Sequence, residues 1–146
     1  MKFINKHGQV SLQCEQNIII ADFSGNVNAS LVSAFANSLL TQVAQFANKP
    51  WGYISNSQTL LAATPQAEQQ LTLLTSAMVH KGCIASAYIF DSSIVINQMQ
   101  RILDNAGLNM DIRPCLFNSL AQAKAFVNKT MTEKAMQLLC MQKSQA

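Results

Sequence analysis

The chain has 146 residues, 49% of them hydrophobic and 12% charged, with a net charge of +3. That length suits one domain around a single core and leaves no room for a second. The ten Lys and Arg are scattered from Lys2 to Lys143 without a run or stripe, which sets aside nucleic acid as a partner, since phosphate recognition needs a concentrated basic patch.

No segment approaches the ~20 apolar residues of a transmembrane span. The stretch Met1 to Lys6 also lacks the apolar core of a signal peptide, so a cytoplasmic location is expected. Cys14, Cys83, Cys115 and Cys140 are far apart, with no CxxC and no paired His. In a reducing compartment they read as free thiols, and no metal or other cofactor is expected.

Val10, Leu12 and Cys14 alternate with polar residues, the period of a strand with one buried face. After Glu15-Gln16-Asn17 comes Ile18-Ile19-Ile20-Ala21-Asp22-Phe23, a β-branched run suited to a strand covered on both sides. The two read as a hairpin. Asn28 caps a helix with Leu31, Val32, Phe35, Leu39, Val43 and Phe46 on one face, ended by Asn48-Lys49-Pro50. Trp51 to Ser55 reads as a short strand and Asn56 to Ala63 as a polar connector. Thr64-Pro65 opens a second helix, which carries Leu71, Leu74 and Met78 inward and stops at His80-Lys81-Gly82.

Cys83 to Phe90 is the next buried strand. Asp91-Ser92-Ser93 starts a third helix with Val95, Met99, Ile102 and Leu103 on its buried face, closed by Asn105-Ala106-Gly107. Met110 to Phe117 reads as a last strand, placed at a sheet edge by Pro114. Asn118 caps a fourth helix bearing Leu120, Ala123 and Val127. Asn128-Lys129-Thr130 breaks it, and Thr130-Met131-Thr132-Glu133 has the form of a capping box for a further short helix.

The predicted fold class is α/β: a mostly parallel four- to five-stranded sheet with one antiparallel N-terminal strand, flanked by four helices. Residues 1–130 form the domain and 131–146 a short C-terminal helix and tail. The predicted core is Ile18, Ile20, Phe35, Leu39, Ile54, Leu74, Ile84, Tyr88, Ile102 and Phe117.

From Cys83 onward the chain resembles the STAS family of bacterial anti-sigma-factor antagonists, in particular its SpoIIAA-like branch. The resembling stretches are Ala87-Tyr88-Ile89-Phe90, the helix end Arg101-Ile102-Leu103-Asp104-Asn105-Ala106-Gly107-Leu108, and Cys115-Leu116-Phe117-Asn118-Ser119-Leu120-Ala121-Gln122-Ala123. The first half shares the family's order of elements. The resemblance implies a protein-binding regulator whose contact region, and phosphate acceptor where there is one, lies where the third strand runs into the second helix. Here that implies Ser55, Ser57, Thr59, Leu60, Leu61 and Thr64 as protein-binding residues, with Ser57 the candidate acceptor. The stretch Tyr53 to Leu60 has hydroxyls but neither the acid nor the glycine of the family's Asp-Ser-x-Gly motif.

No catalytic motif is present: GxSxG, HExxH, GxGxxG and the P-loop are all missing, and the acids form no close pair. Asp22 and Asp91, near strand ends, read as turn and helix caps, His80 as a helix-end cation and His7 as a surface residue. Two readings follow. One is a non-catalytic module for a protein partner. The other is a carrier of a small apolar ligand, because SpoIIAA-like proteins resemble lipid-transfer domains in fold and the chain is rich in Leu, Ile, Phe and Met. An unrecognised enzyme ranks behind both.

Overall fold

The computed structural model describes residues 1–144. Its six strands are β1 (Lys2–Ile4), β2 (Gly8–Glu15), β3 (Ile18–Val27), β4 (Trp51–Asn56), β5 (Leu60–Ala63) and β6 (Cys83–Ile89). The four α-helices are α1 (Ala29–Ala44), α2 (Pro65–His80), α3 (Ser93–Asn105) and α4 (Leu120–Ser144). The strands form one sheet in the order β1-β2-β3-β4-β6, with β5 beside the far half of β3. Pairing is antiparallel from β1 to β3 and parallel from β3 to β6.

The class is the expected α/β with a mostly parallel centre, and the β2–β3 hairpin is present. The sheet has six strands against the four or five expected, because β1 and β5 are additional. Both are short, and β1 carries too few residues to display a period.

The alternation of β3 explains the layers. Ile19, Ala21 and Phe23 join a core with α1, α2 and α3, while Ile18 and Ile20 join Ile54, Ala85, Ala87 and Ile89 under α4. With helices on both faces, the run Ile18 to Ala21 is buried throughout. Eight of the ten predicted core residues are buried, and Ile84 and Phe117 are half-buried beside the β6 edge. The caps act as read for α1, α2 and α3: Asn28, Thr64 and Ser92 each accept a backbone N–H from the first turn.

Three expectations are corrected. Met110 to Phe117 is no strand: Arg113–Cys115 forms a 3-10 turn, and a lone bridge joins Leu116 to Tyr88. Gln100 takes over the hydrogen bonding, donating to the Met110 carbonyl at 3.0 Å and accepting the Ile112 N–H at 2.9 Å. Ser119, not Asn118, caps α4 by accepting the Gln122 N–H at 3.2 Å.

The third correction concerns Asn128-Lys129-Thr130, which does not interrupt α4. Polar residues without Gly or Pro lower helix propensity by tenths of a kcal/mol, about 0.5 each, too little to stop a helix already propagating. The expected boundary at 130/131 therefore falls inside one continuous helix. The last two residues of the 131–146 tail lie outside the described residues. Among the described residues, no helix is long and apolar enough to cross a membrane.

Candidate functional site

Strand β3 changes partners partway along its length. It pairs with β4 as far as Ala21, opposite Ser55, and with β5 from Gly25, opposite Leu60. Phe23 lies between, where neither strand reaches its N–H. A buried backbone donor left without a partner costs about 1–3 kcal/mol. Ser57 fills the gap, its hydroxyl accepting the Phe23 N–H at 3.0 Å and lying 2.8 Å from the Ser55 hydroxyl. Its own N–H donates to the Ile89 carbonyl at 3.0 Å.

The same contacts close Ser57 to solvent, at 0% exposure, and Ser55 is buried beside it. The candidate acceptor is thus an internal structural hydroxyl. Of the six residues singled out in this region, Thr59, Leu61 and Thr64 are exposed and Leu60 is half-buried. Thr59 donates to the Ser24 hydroxyl at 2.8 Å, and Thr64 accepts the Ala67 N–H at 3.2 Å as the cap of α2. The six therefore divide between a surface and an interior.

The surface part is rigid. Gln98 of α3 acts as a surrogate neighbouring strand for β5, accepting the Ala63 N–H at 3.0 Å and donating to the Ala63 carbonyl at 2.9 Å. It also donates to Glu68 at 3.1 Å, and Glu68 receives both Nε and Nη2 of Arg101, the latter at 2.5 Å. The Arg101 guanidinium holds the Glu68 carboxyl below its ordinary range. On this pinned strand Leu61 has 59% of its surface exposed, and Gln58, Thr59 and Thr64, near it in sequence, are exposed too.

The interior part opens on a cavity of about 80 Å³ between the sheet, α2 and α3. Phe23, Phe35, Leu74, Met78, Phe90 and Leu103 supply most of its character. Tyr53 pairs with Ser86 and Ser55 with Tyr88 across β4 and β6, so phenols and hydroxyls alternate on the wall that lines it. Burial pushes the Tyr53 and Tyr88 phenols and the Cys83 thiol well up from their ordinary values. All three are held protonated, and none is poised as a nucleophile. Among the described residues, none that lines the cavity carries a formal charge. Such walls can hold and orient an uncharged molecule. The signal in the sequence was the pair Tyr53-x-Ser55 and Ser86-x-Tyr88, hydroxyls at inward positions of two apolar strands.

The other residues weighed for chemistry stay apart. Asp22 lies within β3, opposite Ser11 and exposed, rather than at a strand end. Partial burial raises its carboxyl and Lys2 opposes the shift. Asp91 is exposed ahead of α3, and the His80 ring lies 2.8 Å from the Ser76 carbonyl in its own helix. Cys14 and Cys140 are exposed and Cys83 and Cys115 buried, all four as free thiols. Among the described residues, no group of three or more His, Cys, Asp or Glu could hold a metal ion.

No family model matches the chain, and no curated protein matches it significantly. Solved structures do. An uncharacterised protein with a SpoIIAA-like fold from Shewanella loihica aligns at a TM-score of 0.61 and 12% identity, over 86% of this chain and 98% of its own. The anti-sigma factor antagonist SpoIIAA in its unphosphorylated form aligns at 0.54 and 11%, over 80% and 92%. SLC26A9 aligns at 0.58 and 14%, over 85% of this chain, which spans only 22% of that longer protein. At these identities the likeness is one of fold, and the fold is the SpoIIAA-like one.

Proposed function

We propose that this protein is a non-catalytic regulatory module of the SpoIIAA-like type, which works by docking a protein partner on the face made by β5 and the start of α2. The observation that carries this reading is Leu61, a large exposed apolar side chain on a strand pinned by Gln98 and flanked in sequence by the exposed neutral polar residues Gln58, Thr59 and Thr64. An apolar centre with a polar rim is the composition of a small protein interface. A fixed backbone reduces the ordering cost of binding. The fold it shares with anti-sigma factor antagonists supports the same reading. Thr59 and Thr64 belong to the rim, whereas Ser55, Ser57 and Leu60 act from within by holding β5 in place.

The test is affinity capture from host lysate with wild type, with Leu61→Asp, and with Leu138→Asp as a control at an exposed apolar residue on α4. Wild type and the α4 variant are expected to retain one partner that Leu61→Asp loses. Equal retention by all three would remove this face from consideration.

The cavity beneath α2 favours a second reading, in which the same fold carries a small apolar ligand.

A further inference from the structure

The chemistry of the cavity wall specifies more than an apolar occupant. Along one edge the Ser55 and Ser57 hydroxyls lie 2.8 Å apart, and the Tyr53 phenol lines the cavity on the same strand as Ser55. Ser57 already accepts the Phe23 N–H. One link between these two serine hydroxyls uses one of their two protons, because each hydroxyl has one to donate. One O–H is left over. On the neighbouring strand the Tyr88 phenol and the Ser86 hydroxyl both line the cavity. Ser86 and Cys83 lie 3.7 Å apart, a long contact to a weak sulfur acceptor.

Resting on the carrier reading, we propose that this cavity binds a small uncharged molecule with an apolar body and one acceptor oxygen, a ketone or alcohol by class, whose oxygen is recognised by the Tyr53, Ser55, Ser86 and Tyr88 hydroxyls. A spare buried donor is costly when unmet, so an acceptor oxygen gains what a hydrocarbon cannot. A carboxylate or phosphate is disfavoured because no cationic side chain lines the cavity, and an anion there would lose its hydration without a countercharge. An ammonium head fails for the same reason, with no carboxylate in the wall.

Size sets the other bound. A dry apolar cavity of about 150 Å³ accepts benzene, so one of about 80 Å³ takes roughly three carbon-sized atoms as it stands. Met78, Met99 and Met110 all line it, and their flexible thioethers can yield to a longer chain.

Those methionines also report on occupancy. In protein labelled with 13C at the Met methyls, Met78, Met99 and Met110 line the cavity, while Met1, Met131 and Met136 lie outside it and serve as references. The probes are 2-butanone, its carbon isostere 2-methyl-1-butene, and butyrate at neutral pH. Butanone is expected to shift the three cavity methyls and leave the references in place, while butyrate at matched concentration shifts none.

The double variant Tyr53→Phe, Tyr88→Phe keeps both rings, and its melting is checked by circular dichroism. It should bind butanone about threefold to tenfold more weakly, the loss of one hydrogen bond, and the alkene undiminished. If neither butanone nor the alkene moves the cavity methyls, the carrier reading and this inference fall together. If butyrate binds as well as butanone, or the double variant loses nothing, the ligand class is wrong while the carrier reading stands.

Discussion

Ser57 and Phe23 lie 34 positions apart, yet the hydroxyl of one accepts the backbone N–H of the other at 3.0 Å, in a buried gap of the β3 ladder. Removing that hydroxyl leaves the donor unmet. Ser57→Ala is expected to cost about 1–3 kcal/mol in urea unfolding followed by circular dichroism, while Thr59→Ala, at an exposed hydroxyl, stays within about 0.5 kcal/mol. Equal effects of the two substitutions would contradict the structural role of Ser57.

Gly52 faces α4 so closely that an added Cβ would meet Val127 Cγ1 at 2.4 Å and Met131 Sδ at 3.0 Å. Val127 is buried and its χ1 is stiff, so it cannot swing aside. Gly52→Ala is expected to destabilise the protein by about 1–3 kcal/mol through overpacking. Val127→Ala in the same chain should recover part of that loss. The coupling is read from a double-mutant cycle, and a simple sum of the two single effects would mean that α4 does not press on β4 here.

The pair of Glu68 and Arg101 gives stability a dependence on acid. Arg101 holds the Glu68 carboxyl below its ordinary 4.5 in the folded state, so folding favours the ionised form. The resulting stabilisation is present above the unfolded value and is lost as pH falls through the folded one. Arg101 is 55% exposed, and solvent screening keeps the effect small. Arg101→Ala should be less stable than wild type at neutral pH, with the difference closing as pH falls through the folded Glu68 value, in urea unfolding across the range. A difference unchanged through the acid range would mean that packing of the arginine stem is responsible.

Thiol reactivity should divide the four cysteines. Cys14 and Cys140 are exposed, whereas Cys83 and Cys115 are buried and burial raises both of their thiols. An aromatic disulfide reagent is expected to modify two thiols promptly in the native protein and the other two only on unfolding, with peptide mapping to assign them. Prompt modification of Cys83 would show that the cavity wall opens on the timescale of the reaction.

The elements of this protein were legible where their causes are local. Alternation in Val10 to Cys14, the isoleucine run, the apolar stripe of α1 and the caps Asn28, Thr64 and Ser92 each act within a turn or a strand, so neighbouring residues carry the information. Those patterns determined the α/β class, the central parallel sheet and most of the core.

The tertiary structure decided whatever depends on which backbone groups still need a partner once the chain is folded. Gln100 satisfied the 110–112 segment and removed a strand that the hydrophobic pattern favoured. The partner change along β3 created β5 and drew Ser57 inward. Register alone set Tyr53 against Ser86 and Ser55 against Tyr88. A period of two says which face a side chain takes, but its neighbour across the sheet is set by how two distant strands slide past each other, and here that alignment makes the cavity wall.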